Sequence, residues 1–70
     1  MNNLYQVYVN ILGDWKLLNN DTDTINGWTP FEYATNNGYS KINELSDITR
    51  LVNYNGKEYV IPITQIEIVR

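Results

Sequence analysis

Asn55-Gly56 stands between two runs of alternating apolar residues, 48–54 and 57–63, and no other feature constrains the fold of this chain as tightly. Asn and Gly both accept the positive φ that a two-residue type I′ turn requires at its two central positions, and such a turn twists as paired strands twist. The pair therefore predicts a β-hairpin with a definite register. Tyr54 faces Lys57, Asn53 faces Glu58, Val52 faces Tyr59, Leu51 faces Val60 and Arg50 faces Ile61. Val52, Tyr59 and Ile61 then share one face, while Leu51 and Val60 share the other. A hairpin that is apolar on both sides belongs in a closed or covered sheet, its second face hidden by a helix, by barrel closure or by a partner.

The rest of the chain supplies further short strands and one helix. Residues 4–12 alternate Tyr5, Val7, Val9 and Ile11 against Gln6, Tyr8 and Asn10, the two-residue period of a half-buried strand. Gly13-Asp14 predicts a turn, residues 15–18 a second short strand, and Asn19-Asn20-Asp21 a turn of side-chain-bonding residues. Residues 25–28 read as an edge strand interrupted by a second Asn-Gly pair, Asn26-Gly27. Thr29-Pro30-Phe31-Glu32 then writes a helix start: Thr29 as N-cap, Pro30 where a missing N–H costs nothing, and Glu32 closing a capping box. A helix from Pro30 to about Asn36 is too short to stand alone and is expected to dock through Phe31, Ala34 and Trp28. Residues 39–47 read as irregular, with one helical turn capped by Ser40.

A chain of 70 residues makes one domain with a small core. With no cysteine there are no disulfides, thiolate metal sites or thiol nucleophiles, which points to a reducing compartment, the cytoplasm. The first residues lack the basic start and apolar run of a cleaved signal, and no apolar run approaches the roughly 20 residues of a membrane helix. Eight acids against five scattered bases give a net charge of −3. Nucleic acid is disfavoured as a partner, because phosphate binding needs a patch of Lys and Arg. Base stacking on Tyr in a small barrel is the alternative from that class. A homo-oligomer joined through an unused sheet face is another.

The inventory for catalysis is thin. Without His or Cys the candidate acids, bases and nucleophiles are scattered carboxylates, Lys, Tyr and Ser, so neither a catalytic residue nor a cofactor is expected. From Asp21 as first position, Asp23 and Glu32 fall at the third and twelfth positions of a calcium-loop pattern. Ile25 at the fifth position has no side-chain oxygen and Asn26 occupies the Gly position, so an acidic turn leading into a helix cap explains these residues better, and no metal is expected.

The nine aromatic residues are a stronger lead. Each needs a large buried area, and a core this small cannot hide them all. Tyr8, Trp28, Tyr33 and Tyr39 are the expected exposed contacts for a partner, with Asp21, Asp23 and Glu44 at the rim, since Trp and Tyr are over-represented in interface hot spots. These features together predict a non-enzymatic module that binds a larger protein.

Tyr59-Val60-Ile61-Pro62-Ile63-Thr64-Gln65-Ile66 resembles the closing segment of Src-homology-three domains, where a strand ends at Ile-Pro, a short 3₁₀ turn follows and a final strand begins. The Asn55-Gly56 hairpin occupies the place of that family's distal hairpin. The resemblance implies a small, strongly bent barrel. It does not imply binding of Pro-rich peptides, because Gln65 stands where the family's groove Tyr follows the Pro, and no Trp opens the hairpin. The expected fold is thus mostly β, a small antiparallel bent sheet or Src-homology-three-like barrel of about five strands with one short helix. In size and in richness in Asn and Tyr the chain is also similar to the short accessory proteins of bacterial viruses and mobile elements, a likeness that implies an inhibitor of one host protein, including inhibitors of host defence.

Overall fold

A computed structural model describes residues 5–36 and 48–69. In chain order these form β1 (Gln6–Ile11), β2 (Asp14–Leu17), β3 (Thr24–Ile25), α1 (Pro30–Thr35), β4 (Thr49–Tyr54), β5 (Lys57–Pro62), a 3₁₀ turn (Ile63–Gln65) and β6 (Ile66–Val69). The irregular segment and the helical turn expected over residues 39–47 lie outside the described residues. The protein is mostly β, as expected, but the strands form two antiparallel three-stranded sheets, ordered β2-β1-β6 and β3-β4-β5. Among the described residues no closed barrel forms. Between β2 and β3 the chain passes through turns held by the side chains of Asn19 and Asp23. No helix among the described residues is long and apolar enough to cross a membrane.

The β4–β5 hairpin has the register that Asn55-Gly56 predicts, residue for residue from Arg50↔Ile61 to Tyr54↔Lys57. Asn55 and Gly56 adopt φ of 53° and 81°. Val52 and Ile61 are buried on its inner face. Its outer face is less covered than expected: Leu51 is half-buried, but Val60 is 67% exposed.

The first hairpin turns one residue earlier than predicted. Leu12 and Gly13 occupy the positive-φ positions, at 54° and 93°, and Asp14 already belongs to β2 opposite Ile11. The side chain of Asn10 explains the choice, because its Oδ1 accepts the Gly13 N–H at 2.9 Å and holds the tighter turn closed. Asn26-Gly27 makes a third turn of this kind, with Ile25 and Trp28 exchanging backbone hydrogen bonds at 2.8 and 2.9 Å across it. Of the edge strand expected over residues 25–28 only Ile25 belongs to β3, which pairs with β4, because the chain turns at Asn26-Gly27.

Helix α1 starts as written in the sequence. Thr29 Oγ1 accepts the Glu32 N–H at 3.1 Å and Glu32 Oε1 accepts the Thr29 N–H at 3.0 Å, with Pro30 in the first turn. Its docking face is partly as expected: Ala34 docks and Trp28 packs at the core margin, but Phe31 does not dock. Pro30, Tyr33 and Ala34 are buried against β1 and β3, the three-and-four spacing of one helical stripe. Phe31 lies about 100° off that stripe. It stays partly exposed, its ring 5.8 Å from that of Tyr5.

One core joins both sheets and the helix. Val7, Val9 and Ile11 of β1 meet Leu18, Ile25, Val52, Ile61, Tyr33 and Ala34, while Trp28, Tyr54, Tyr59, Ile66 and Ile68 pack partly buried at its margin.

Candidate functional site

With Val7, Val9 and Ile11 committed to the core, the alternate residues of β1 must face outward. Register places their neighbours. Tyr8 lies opposite Leu17 of β2 and Glu67 of β6, Asn10 lies opposite Trp15, and Gln6 opposite Val69. Trp15 is therefore the diagonal neighbour of Tyr8, within reach of an aromatic side chain, and Glu67 is its direct cross-strand neighbour. Trp15 and Leu17 are 49% and 46% exposed, and Val69 is exposed as well. Tyr8 is half-buried between them.

Tyr8, Trp15 and Glu67 line a shallow groove of about 320 Å³ on this face. Its base is held in place at one end by Asn10, whose Nδ2 donates to Gln65 Oε1 at 2.8 Å while its Oδ1 takes the Gly13 N–H. One side chain thus fixes both the β1–β2 turn and the 3₁₀ turn that launches β6. Among the described residues the Glu67 carboxylate has no hydrogen-bond or ion-pair partner. The groove therefore offers two aromatic surfaces and an unneutralised charge.

Of the predicted contact residues that are described, only Tyr8 lies on this face. Trp28 packs at the core margin beside the start of α1. Tyr33 is a correction: it is only 5% exposed, and its hydroxyl accepts a hydrogen bond from Arg50 Nε at 3.2 Å. It serves the docking of the helix and is closed to a partner, because its place on the buried stripe outweighs its type. Asp23 is likewise buried, not at a rim. Its Oδ2 accepts the Asn19 N–H at 2.7 Å and its Oδ1 the Asn55 N–H at 3.0 Å, in the floor of a polar depression shared with Thr22 and Tyr54. Asp21 is exposed in the adjoining turn, its N–H donated to Asn19 Oδ1. Tyr39 and Glu44 lie outside the described residues. Among those described, no three His, Cys, Asp or Glu side chains gather into a metal site, and the oxygens of Asp23 and Glu32 that the calcium-loop pattern would enlist bind backbone N–H groups instead.

Trp15, Leu17, Glu67 and Val69 are the face residues that sequence reasoning missed. Their outward direction could be read from alternation. Their convergence on Tyr8 could not, because a turn at Gly13-Asp14 would slide β2 by two residues and carry Trp15 beyond reach, and Glu67 arrives only through the docking of β6 beside β1. No protein-family model matches this chain, and neither the curated proteins nor the solved structures contain a match to it.

Proposed function

We propose that this protein is a non-enzymatic binding module that attaches to a larger protein through the outer face of the β2-β1-β6 sheet and regulates or inhibits it by occlusion. The observation that carries this reading is the convergence of Trp15, Leu17, Val69 and Tyr8 on one side of a single sheet. Scattered apolar residues on a surface need no explanation, but a contiguous set with an aromatic centre is the composition of an interface hot spot. A Trp and a Tyr held on paired strands lose little conformational entropy on binding, which suits a small rigid binder. A chain without cysteine suits work in the cytoplasm.

The finer architecture belongs to the same reading. The two sheets are a bent half-barrel of Src-homology-three type, supported by the order of hairpin, 3₁₀ turn and a last strand returning beside β1. In this arrangement the inner faces make the core and the outer face of the first sheet is left for a partner.

The test is affinity capture from extracts of the native cell, followed by titration of the captured protein in pure form. Trp15→Ala and Tyr8→Ala are each expected to weaken binding by about 30-fold, the loss of a 2 kcal/mol hot spot. Val60→Ala, on the other sheet, should bind as the unmodified protein does. A partner held equally well by both aromatic variants would reject the proposal.

A further inference from the structure

The groove carries an asymmetry that the apolar face alone does not explain. Tyr8 forms its centre, Trp15 one wall across β2, and Glu67 the other across β6. An apolar occupant would cover the Glu67 carboxylate without pairing it, and a desolvated, unpaired charge opposes binding. Among the described residues none supplies a counter-charge. Of the described cations, Lys16 alternates to the opposite side of β2 from Trp15, Arg50 engages Tyr33, and Lys57 sits at the far hairpin turn.

We infer that the groove receives an arginine side chain from a segment of the partner protein, its guanidinium stacked on Tyr8 and paired with Glu67 and its stem lying against Trp15. This deepens the proposed function by naming the chemistry of the contact and rests on that reading of the face. A planar guanidinium suits an open groove with two aromatic walls, because it stacks on a ring face while its fork of N–H donors meets a carboxylate in two parallel hydrogen bonds. An ammonium has neither plane nor fork. The net charge of −3 also draws a cationic segment toward the protein.

The experiment titrates a capped Gly-Arg-Gly peptide, and its lysine and citrulline counterparts, into the purified protein at low salt and follows backbone and indole N–H resonances. The arginine peptide is expected to produce saturable shifts at Tyr8, Trp15 and Glu67 in the millimolar range. Glu67→Gln, an exposed change whose spectrum also reports that the fold is kept, should weaken binding about tenfold, as should the neutral citrulline. Absence of saturable shifts, equal binding of arginine and citrulline, equal binding of arginine and lysine, or indifference to Glu67→Gln would each overturn the inference. Shifts of the same resonances on concentrating the protein without peptide would assign the groove to a second copy and overturn it too. The two proposals separate cleanly. A captured partner lost on Trp15→Ala but indifferent to Glu67→Gln leaves the binding module standing without its arginine, whereas capture indifferent to both Trp15→Ala and Tyr8→Ala removes the module itself.

Discussion

The carboxylate of Asp23 accepts the backbone N–H of Asn55 at 3.0 Å, joining the turn after β2 to the tip of the β4–β5 hairpin 32 residues away. Its other oxygen holds the N–H of Asn19 at 2.7 Å. One buried acid therefore fastens the connection out of the first sheet to the far end of the second, in a chain that has no disulfide to do so.

Removing that carboxylate leaves two backbone N–H groups in need of partners. Asp23→Ala is expected to destabilise the protein by about 2–3 kcal/mol, the sum of lost charge-assisted hydrogen bonds and uncompensated donors. Urea unfolding should show a lower midpoint with little change in slope, because the surface exposed on unfolding stays the same. A midpoint within error of the unmodified protein would mean that the two turns are held by other contacts.

Leu12 offers the opposite change. It stands at φ 54° and is 95% exposed, so it accepts a left-handed conformation without burying its side chain. That conformation costs an ordinary side chain about 1 kcal/mol, whereas Asn tolerates it through local hydrogen bonding. Leu12→Asn, which makes this turn Asn-Gly like the other two, should stabilise the protein by most of that amount, read as a higher thermal midpoint. The substitution touches no residue of the groove, and partner affinity should be unchanged.

Tyr33, expected from the sequence to meet a partner, and Trp15, which is not, should separate sharply in experiment. Tyr33 is buried on the helix stripe with its hydroxyl bonded to Arg50, so Tyr33→Phe should cost about 1 kcal/mol and Tyr33→Ala about 3–5 kcal/mol of stability. Trp15 is half exposed, and Trp15→Ala should move stability far less while abolishing most of the partner affinity. Unfolding midpoints and binding constants measured on the same three variants decide the matter. A Tyr33→Phe protein of full stability but no affinity would reverse the two roles.

The contrast shows which parts of the molecule are legible in the sequence. Local chemistry that decides its own geometry is readable: Asn55-Gly56 dictates a register, and Thr29, Pro30 and Glu32 dictate where a helix begins. Alternation in β1 reveals which residues turn inward. What depends on distant pieces is not readable. Tyr33 and Phe31 differ by two positions on a short helix, and only the sheet beneath decides which is buried. Asn10 moves the first turn by one residue through a side-chain hydrogen bond that the Gly13-Asp14 pair conceals. The groove needs both that turn and the return of β6, so its members appear in the sequence as unrelated residues, 8, 15 and 67.

Asn26 tests how a side chain can stand in for a strand. At φ 50° its backbone turns away from the sheet after β3, yet its N–H donates to the Leu51 carbonyl at 2.8 Å and its Oδ1 accepts the Leu51 N–H at 2.9 Å. The amide oxygen thus replaces the backbone carbonyl that a continued strand would have offered to β4, and the residue is fully buried while doing so. Two substitutions divide its contributions. Asn26→Gly keeps the left-handed conformation but loses the acceptor, and is expected to cost about 1–2 kcal/mol. Asn26→Ala loses the acceptor and also strains the turn, and should cost about 1 kcal/mol more. Hydrogen exchange at the Leu51 amide gives the direct readout: it should quicken in both variants, whereas the Asn53 amide, paired with Thr24, should respond only to the change in global stability. Equal stability of the Gly and Ala variants would show that the turn accepts a side chain without strain, and unchanged exchange at Leu51 would show that the Asn26 oxygen is not what protects it.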